Sequence, residues 1–174
     1  TRDITGMLSG QTMDIARIAA VHDRMTGEYD DVGDPWYGWF YTRLHRFIAE
    51  HLPPGAARRA LDIGAGTGFQ TLLLARAGYA VQGVDFSGGL IEVARAKVAR
   101  GALDADPFVL HPAPFPWMQE EARRLAERLD ALRGSSPIPR PVFRVEDVGR
   151  ASWDLETYDV ISCCGSTFSF FEEP

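Results

Sequence analysis

The chain has 174 residues and a mass of 19.2 kDa, which fits a single domain. Apolar residues make up 45% of it and charged residues 24%, so we expect a packed core rather than disorder. The net charge of −6 argues against nucleic acid as a partner. No apolar run approaches the roughly 20 residues of a membrane span, and the two cysteines are adjacent, which excludes a disulfide framework. We therefore expect a cytoplasmic protein.

Two helices are predicted in the N-terminal third of the chain. Apolar residues recur at helical spacing over 13–25. The pair Asp34-Pro35 is typical of an N-cap and a first helical residue, and it opens a predicted helix over 35–52. In that helix the apolar residues are predicted to share one face, formed by Trp36, Phe40, Leu44, Phe47, Ile48 and Leu52.

From residue 59 the pattern changes to alternating strands and helices. Strands are predicted at ALDIG (60–64) and over 80–86, and helices over 68–79 and over 88–101, the second capped by Ser87. Further strands are predicted over 142–148 and 158–164. This alternation indicates an α/β fold with a parallel sheet.

The segment 102–141 is too long for a simple connection between a helix and a strand, which usually takes two to six residues. Prolines flank a predicted helix, WMQEEARRLAERLDALRG, whose apolar residues repeat at spacings of four and three. The apolar stripe is expected to pack on the same domain. It could instead cover a substrate pocket or form a homodimer contact.

A glycine-rich turn between the first predicted strand and the next helix is the strongest functional signal. It reads Asp62-Ile63-Gly64-Ala65-Gly66-Thr67-Gly68, and glycines here allow a tight turn and a close approach to a ligand. Asp85 ends the next predicted strand, where a carboxylate can accept hydrogen bonds from ribose hydroxyls. The third glycine of a dinucleotide-binding pattern would fall at Phe69, so the G-x-G-x-G spacing disfavours that class.

Four motifs resemble those of the class I S-adenosylmethionine-dependent methyltransferases and occur in that family's order. LDIGAGTG is similar to the first motif and VQGVDFS to the acidic motif that follows it. VFRVEDV and YDVISCCGS are similar to the third- and fourth-strand motifs. The resemblance implies a Rossmann-like, doubly wound, mostly parallel sheet of seven strands ordered 3-2-1-4-5-7-6. Since the chain supplies only four of them, we expect it to be a fragment.

Two stretches also resemble glycine/sarcosine-type small-molecule N-methyltransferases, namely GTGFQTLLLARAGYAV and DVISCCGSTFSF. In that group the fourth-strand motif usually carries Gly-Asn-Ser-Phe. Here it reads Gly165-Ser166-Thr167-Phe168, without the asparagine. The methyl acceptor is therefore left open.

The resemblance implies S-adenosyl-L-methionine as cofactor and S-adenosyl-L-homocysteine as its product. The glycines would border the methionine part and the ribose, Asp62 would fix the loop or the amino group, and Asp85 would take the ribose hydroxyls. Phe86 and Leu90 would pack on adenine, and Asp147 would accept from its amino group. The expected cofactor-binding residues are Asp62, Gly64, Ala65, Gly66, Gly68, Asp85, Phe86, Leu90, Asp147, Val148 and Cys164.

The same resemblance implies a single methyltransferase domain over 1–174, with an N-terminal helical lid region (1–56) and a helical insertion (102–141). Tyr29 and Trp36 are candidates to close the site, and Gly165 and Ser166 lie near the expected position of the acceptor. The expected partner is a small-molecule methyl acceptor, with neither nucleic acid nor a membrane. The expected site contains no metal ion, because the histidines and cysteines lack metal-ligand spacing.

No catalytic residue can be named from the sequence. A neutral amine would need little beyond alignment with the methyl group, whereas an alcohol or phenol would need a general base. The candidates for that base are His22, His45, His51 and His111, and His45 and His51 are expected on the surface of the second helix. The alternatives are an NAD(P)-linked oxidoreductase and a non-catalytic cofactor-binding or interaction module.

Overall fold

The computed structural model describes residues 15–27, 35–104, 116–147 and 154–164. Its helices are α1 (Ile15–Arg24), α2 (Pro35–His51), α3 (Phe69–Arg76), α4 (Gly88–Ala99) and α5 (Pro116–Arg133). Its strands are β1 (Arg59–Ile63), β2 (Ala80–Asp85), β3 (Val142–Val145) and β4 (Val160–Cys163). Each predicted helix and strand is present, with ends that differ by a few residues. A short 3-10 helix at Leu155–Thr157 was not predicted.

The strands form one parallel sheet in the order β3-β2-β1-β4. The register places Asp62 of β1 beside Gly83 of β2 on one side and Ser162 of β4 on the other. Because the strands are parallel, the glycine turn after β1 and Asp85 at the end of β2 meet at the same edge. The α/β prediction and the order of these four strands are confirmed.

Local sequence signals explain where the helices begin and end. Ser87 caps α4 as predicted, because its hydroxyl oxygen accepts a hydrogen bond from the Leu90 amide at 3.2 Å. Helix α3 ends before Gly78, which adopts a left-handed φ of 97°. A Cβ on Gly78 would also lie 3.2 Å from the Arg133 Cα, so glycine permits close packing of α5 at this turn.

The apolar stripe of α5 packs into the core of the same domain, as expected. Two hydrogen bonds join α5 to α2 and the segment after it, since Arg128 Nε donates to the Ala49 carbonyl at 3.1 Å and the Leu132 carbonyl accepts from the Gly55 amide at 3.1 Å. Leu125, Leu129 and Leu132 of the stripe join the cluster formed by α2, α3 and β1. The buried residues of the stripe are Met118, Ala122, Leu125, Leu129 and Leu132.

The predicted surface position of His45 is wrong. Its side chain is 0% exposed and lies near the rings of Tyr41 and Phe69, whereas His51 is exposed as predicted. The predicted apolar face of α2 is wrong at Phe40 and Phe47, which are 42% and 60% exposed, whereas Leu52 is buried and Ile48 packs against the core as predicted. The face that packs against the domain instead carries smaller side chains, Thr42 and Ala49 among them, which allow close approach of the neighbouring helices.

Truncating Leu129 tests whether α5 is part of the core. Leu129 is fully buried, so we expect Leu129→Ala to lower the free energy of unfolding by about 2–5 kcal/mol. The matched control is Leu155→Ala, at a leucine that is 47% exposed, for which we expect a change below about 1 kcal/mol. Urea denaturation of both variants measures this. Equal losses would contradict the packing of α5.

Candidate functional site

The glycine turn between β1 and α3 requires glycine for its backbone conformation. Gly64, Gly66 and Gly68 have φ values of 71°, 51° and 91°, in the left-handed region that side chains disfavour. Gly68 is also crowded, because a Cβ there would lie 3.1 Å from the Ala94 Cβ and 3.3 Å from the Phe143 ring. The close packing of α4 and β3 beneath this turn therefore depends on the absence of a side chain.

The Asp85 carboxylate ties this turn to the end of β2. Its Oδ2 accepts from the Gly66 amide and its Oδ1 from the Ser87 amide, each at 2.8 Å. Burial raises the pKa of Asp85, while the two backbone donors oppose that rise. A carboxylate has about four acceptor positions, so these two bonds leave capacity for further donors.

Asp62, in β1, links the strand before the turn to the helix after it. Its carboxyl is 1% exposed and accepts a hydrogen bond from the Thr71 hydroxyl of α3 at 2.5 Å. Burial raises the pKa of Asp62 to about 6, although hydrogen bonds from Thr71 and Ser162 act in the opposite direction. The structure therefore shows Asp62 joining β1 to the first turns of α3.

Helix α1 lies against the connection between β2 and α4. The His22 ring stacks on Phe86, with centroids 5.5 Å apart and planes 25° from parallel. Asp23 accepts from the Ser87 hydroxyl at 2.5 Å and from the Gly89 amide at 2.8 Å, and these bonds lower the pKa of Asp23. Part of the N-terminal region therefore adjoins the predicted adenine and ribose positions.

The structure describes some of the other predicted site residues but not all of them. Leu90 is buried at the start of α4, Asp147 follows β3, and Cys164 follows β4 with its thiol partly buried. Burial raises the pKa of the adjacent Cys163 to about 11, which disfavours a reactive thiolate. Trp36 is in α2, but its side chain lies outside the described part of the structure. The residues outside the described ranges altogether are Tyr29, His111, Val148, Gly165 and Ser166.

Three contributing residues were not predicted to act at this site. Asp23 and Thr71 make their contacts through packing between elements, and no sequence pattern marks them. Lys97 donates to the Thr67 carbonyl of the turn at 3.0 Å. The sequence does offer a signal for Lys97, because it is the only lysine of the sequence.

Comparison with known proteins identifies this region. Residues 60–116 match the family model described as a methyltransferase domain. The matched segment is about a third of the chain, and over it the chain is similar to methyltransferase domains. It contains the glycine turn and Asp85, and the β3-β2-β1-β4 order agrees with the class I fold expected from the four motifs.

Relatives and solved structures agree with that assignment. A candidate methyltransferase of Geobacillus sp. (strain WCH70) is 34% identical over 64 residues, which are 37% of this chain and 24% of that protein. The structure of a candidate S-adenosyl-L-methionine-dependent methyltransferase of Methanococcus maripaludis matches with a TM-score of 0.50 and 18% identity. That match covers 95% of this chain and 57% of the other, and it shows the class I methyltransferase fold.

A lower similarity is found to magnesium protoporphyrin IX methyltransferase of Synechocystis PCC 6803, solved with bound S-adenosylmethionine. The TM-score is 0.40 and the identity 17%, over 89% of this chain and 50% of that one. The chain thus spans a quarter to little more than half the length of these three proteins.

The pH dependence of stability tests the burial of Asp62. Its pKa rises from 3.8 to about 6 on folding, so between these values the folded state binds more protons than the unfolded state. The contribution of Asp62 to stability therefore falls as pH increases from 4 to 7, by about 3 kcal/mol in total. Because asparagine does not titrate, we expect Asp62→Asn to gain stability relative to the wild type over this range in urea denaturation. A constant difference between the two proteins would contradict the burial of the charge.

Exchange of backbone amides tests the docking of α1. Asp23→Ala removes the acceptor for Ser87 and Gly89, and each such hydrogen bond is worth about 1 kcal/mol. We expect hydrogen–deuterium exchange within 15–24 to accelerate about thirtyfold, with no change in β1 or β2. Asp23→Asn, which keeps one acceptor oxygen, is the matched control and should show a smaller increase. Unchanged exchange in the alanine variant would show that α1 is held by other contacts.

Proposed function

We propose that this chain binds S-adenosylmethionine at the glycine turn and transfers its methyl group to a small-molecule nitrogen or oxygen acceptor. The observation that carries the proposal is the meeting of three left-handed glycines with the Asp85 carboxylate at one edge of a parallel sheet. This arrangement falls within the segment that matches a methyltransferase domain. It also agrees with the placement of ligands at the carboxyl ends of strands in α/β sheets.

The residues at this edge suit the chemistry of the cofactor. Ribose hydroxyls are donors, and the Asp85 carboxylate accepts hydrogen bonds with capacity beyond its two backbone partners. Gly88 opens α4 close to Phe86 in the chain, and within the described part of the structure no neighbouring element comes within 4 Å of the Cβ position it lacks, so there is room at this point of the edge. Phe86 is half-buried and offers an apolar surface of the kind that adenine packs against, whereas Leu90 is only 1% exposed.

The cofactor supplies an electrophilic methyl group carried on a sulfonium. The glycine turn, Asp85 and Phe86 would orient it, while the acceptor must lie in line with the methyl group at about 3 Å. A neutral amine acceptor needs no base from the protein. Were a base needed, His22 is the histidine that the structure places beside Phe86, whereas His45 is buried in α2 and His51 is exposed.

The acceptor and the other partners are proposed from the family resemblance and from the composition of the chain. We place Tyr29, Trp36, Gly165 and Ser166 on the acceptor side, following the family resemblance. The net charge of −6 favours a small molecule over nucleic acid. None of the helices in the described ranges is long and apolar enough to cross a membrane. A homodimer and a cytoplasmic location remain predictions.

Calorimetric titration with S-adenosylhomocysteine tests the proposal. We expect micromolar binding by the wild type and no binding of NAD, because the glycine spacing disfavours a dinucleotide. Asp85→Ala removes a charged acceptor for the ribose hydroxyls, so we expect affinity to fall about thirtyfold or more.

The matched control is Asp159→Ala. Asp159 also accepts from a strand amide, that of Arg59 at 2.8 Å, but at the opposite end of the sheet. The affinity of the Asp159→Ala variant for S-adenosylhomocysteine should stay within about twofold of that of the wild type. Failure of the folded wild type to bind, or tight binding of NAD, would contradict the proposal.

A further inference from the structure

Lys97 lies in the last turn of α4, and its side chain reaches the glycine turn. Its Nζ donates to the Thr67 carbonyl at 3.0 Å and lies 4.0 Å from the centroid of the Phe69 ring. The other 17 basic residues of the sequence are arginines, so lysine is not what the composition supplies by default. The presence of a lysine at this position therefore needs a physical explanation.

The Lys97 bond is one end of a continuous chain of hydrogen bonds through the turn. Lys97 donates to the carbonyl of the peptide group that joins Thr67 to Gly68, and the N–H of that same group donates to the Ala65 carbonyl at 2.8 Å. The Ala65 carbonyl belongs to the next peptide group, whose N–H on Gly66 donates to Asp85 at 2.8 Å. Two peptide groups are thus aligned head to tail between an ammonium and a carboxylate.

The alignment strengthens each bond in the chain. Hydrogen bonds to charged groups are about twice as strong as neutral ones, and bonds in series polarise one another in a low-dielectric setting. The turn is buried at Ala65, Thr67 and Asp85, so water competes weakly for these groups. The charges at the two ends therefore favour the same orientation of both peptide planes.

We propose that Lys97 is a positioning residue that fixes the glycine turn for cofactor binding without touching the cofactor. The inference rests on the proposed function, because it assumes that the turn forms the binding site. It adds a role for α4 that the family motifs do not carry, since Lys97 lies outside all four. Lys97 acts on the site through Thr67, Gly68 and Gly66, while Asp85 acts at the opposite end of the same chain.

Three variants of the full chain separate this role from general stability. Lys97→Met removes the charge and keeps much of the apolar stem, and Lys97→Arg restores a cationic donor. Arg128→Met is the matched control, because Arg128 Nε also donates to a backbone carbonyl, that of Ala49 at 3.1 Å, and this bond joins α5 to α2 rather than holding the glycine turn. Each variant is first shown to be folded by circular dichroism.

Two measurements are made on each variant. In spectra of the protein without ligand, the amide signals of both Gly68 and Gly66 should move in Lys97→Met, while Arg128→Met should leave them in place. For S-adenosylhomocysteine, the dissociation constant should rise about tenfold in Lys97→Met. It should recover to within about threefold in Lys97→Arg and stay unchanged in Arg128→Met.

Each contrary result overturns a distinct part of the inference. A Gly66 signal that does not respond to Lys97→Met would disprove the hydrogen-bond chain. Moved signals with unchanged affinity would disprove the positioning role. A wild type that binds no S-adenosylhomocysteine would overturn the proposed function and the positioning role together, while the ligand-free spectra would still decide whether the chain of bonds exists.

Discussion

The bond between the Asp85 carboxylate and the Gly66 amide is the contact on which the rest of the site depends. It joins the end of β2 to the turn after β1, and it is available because parallel strands bring their carboxyl ends to one edge. The same carboxylate receives the Ser87 amide, which leads into α4. One side chain therefore sets the positions of two helix N-termini. Burial opposes its ionisation, and the backbone donors favour it.

The surrounding elements support this edge from different directions. Helix α3 is fixed to β1 by Thr71 and Asp62, and α4 is held by the Ser87 cap and by Lys97. Helix α1 adds a contact from the solvent side through Asp23. Helix α5 packs farther away, against α2 and α3, so its contribution is to the core rather than to the edge. A site of this kind uses rigid elements to hold a short turn.

Features encoded locally could be predicted from the sequence, and features set by packing could not. The Ser87 cap and the glycine turn depend on residues next to each other in the chain, and both were found. The family match over 60–116 agrees with the resemblance to methyltransferases, while the glycine/sarcosine resemblance stays a prediction. The buried face of α2 depends on which helices pack against it, so the pattern of large apolar residues misplaced His45. The contacts of Asp23 are also set by packing and could not be predicted, because its partners lie more than 60 residues away in the sequence.

A crystal structure of the chain grown with S-adenosylhomocysteine would test the central claim most directly. The account predicts that the ribose hydroxyls lie within hydrogen-bonding distance of the Asp85 carboxylate, with the adenine against Phe86. It also predicts that the Gly66 amide keeps its bond to Asp85 when the ligand is bound. Ligand bound elsewhere on the fold, or at the turn but without contact to Asp85, would contradict the account.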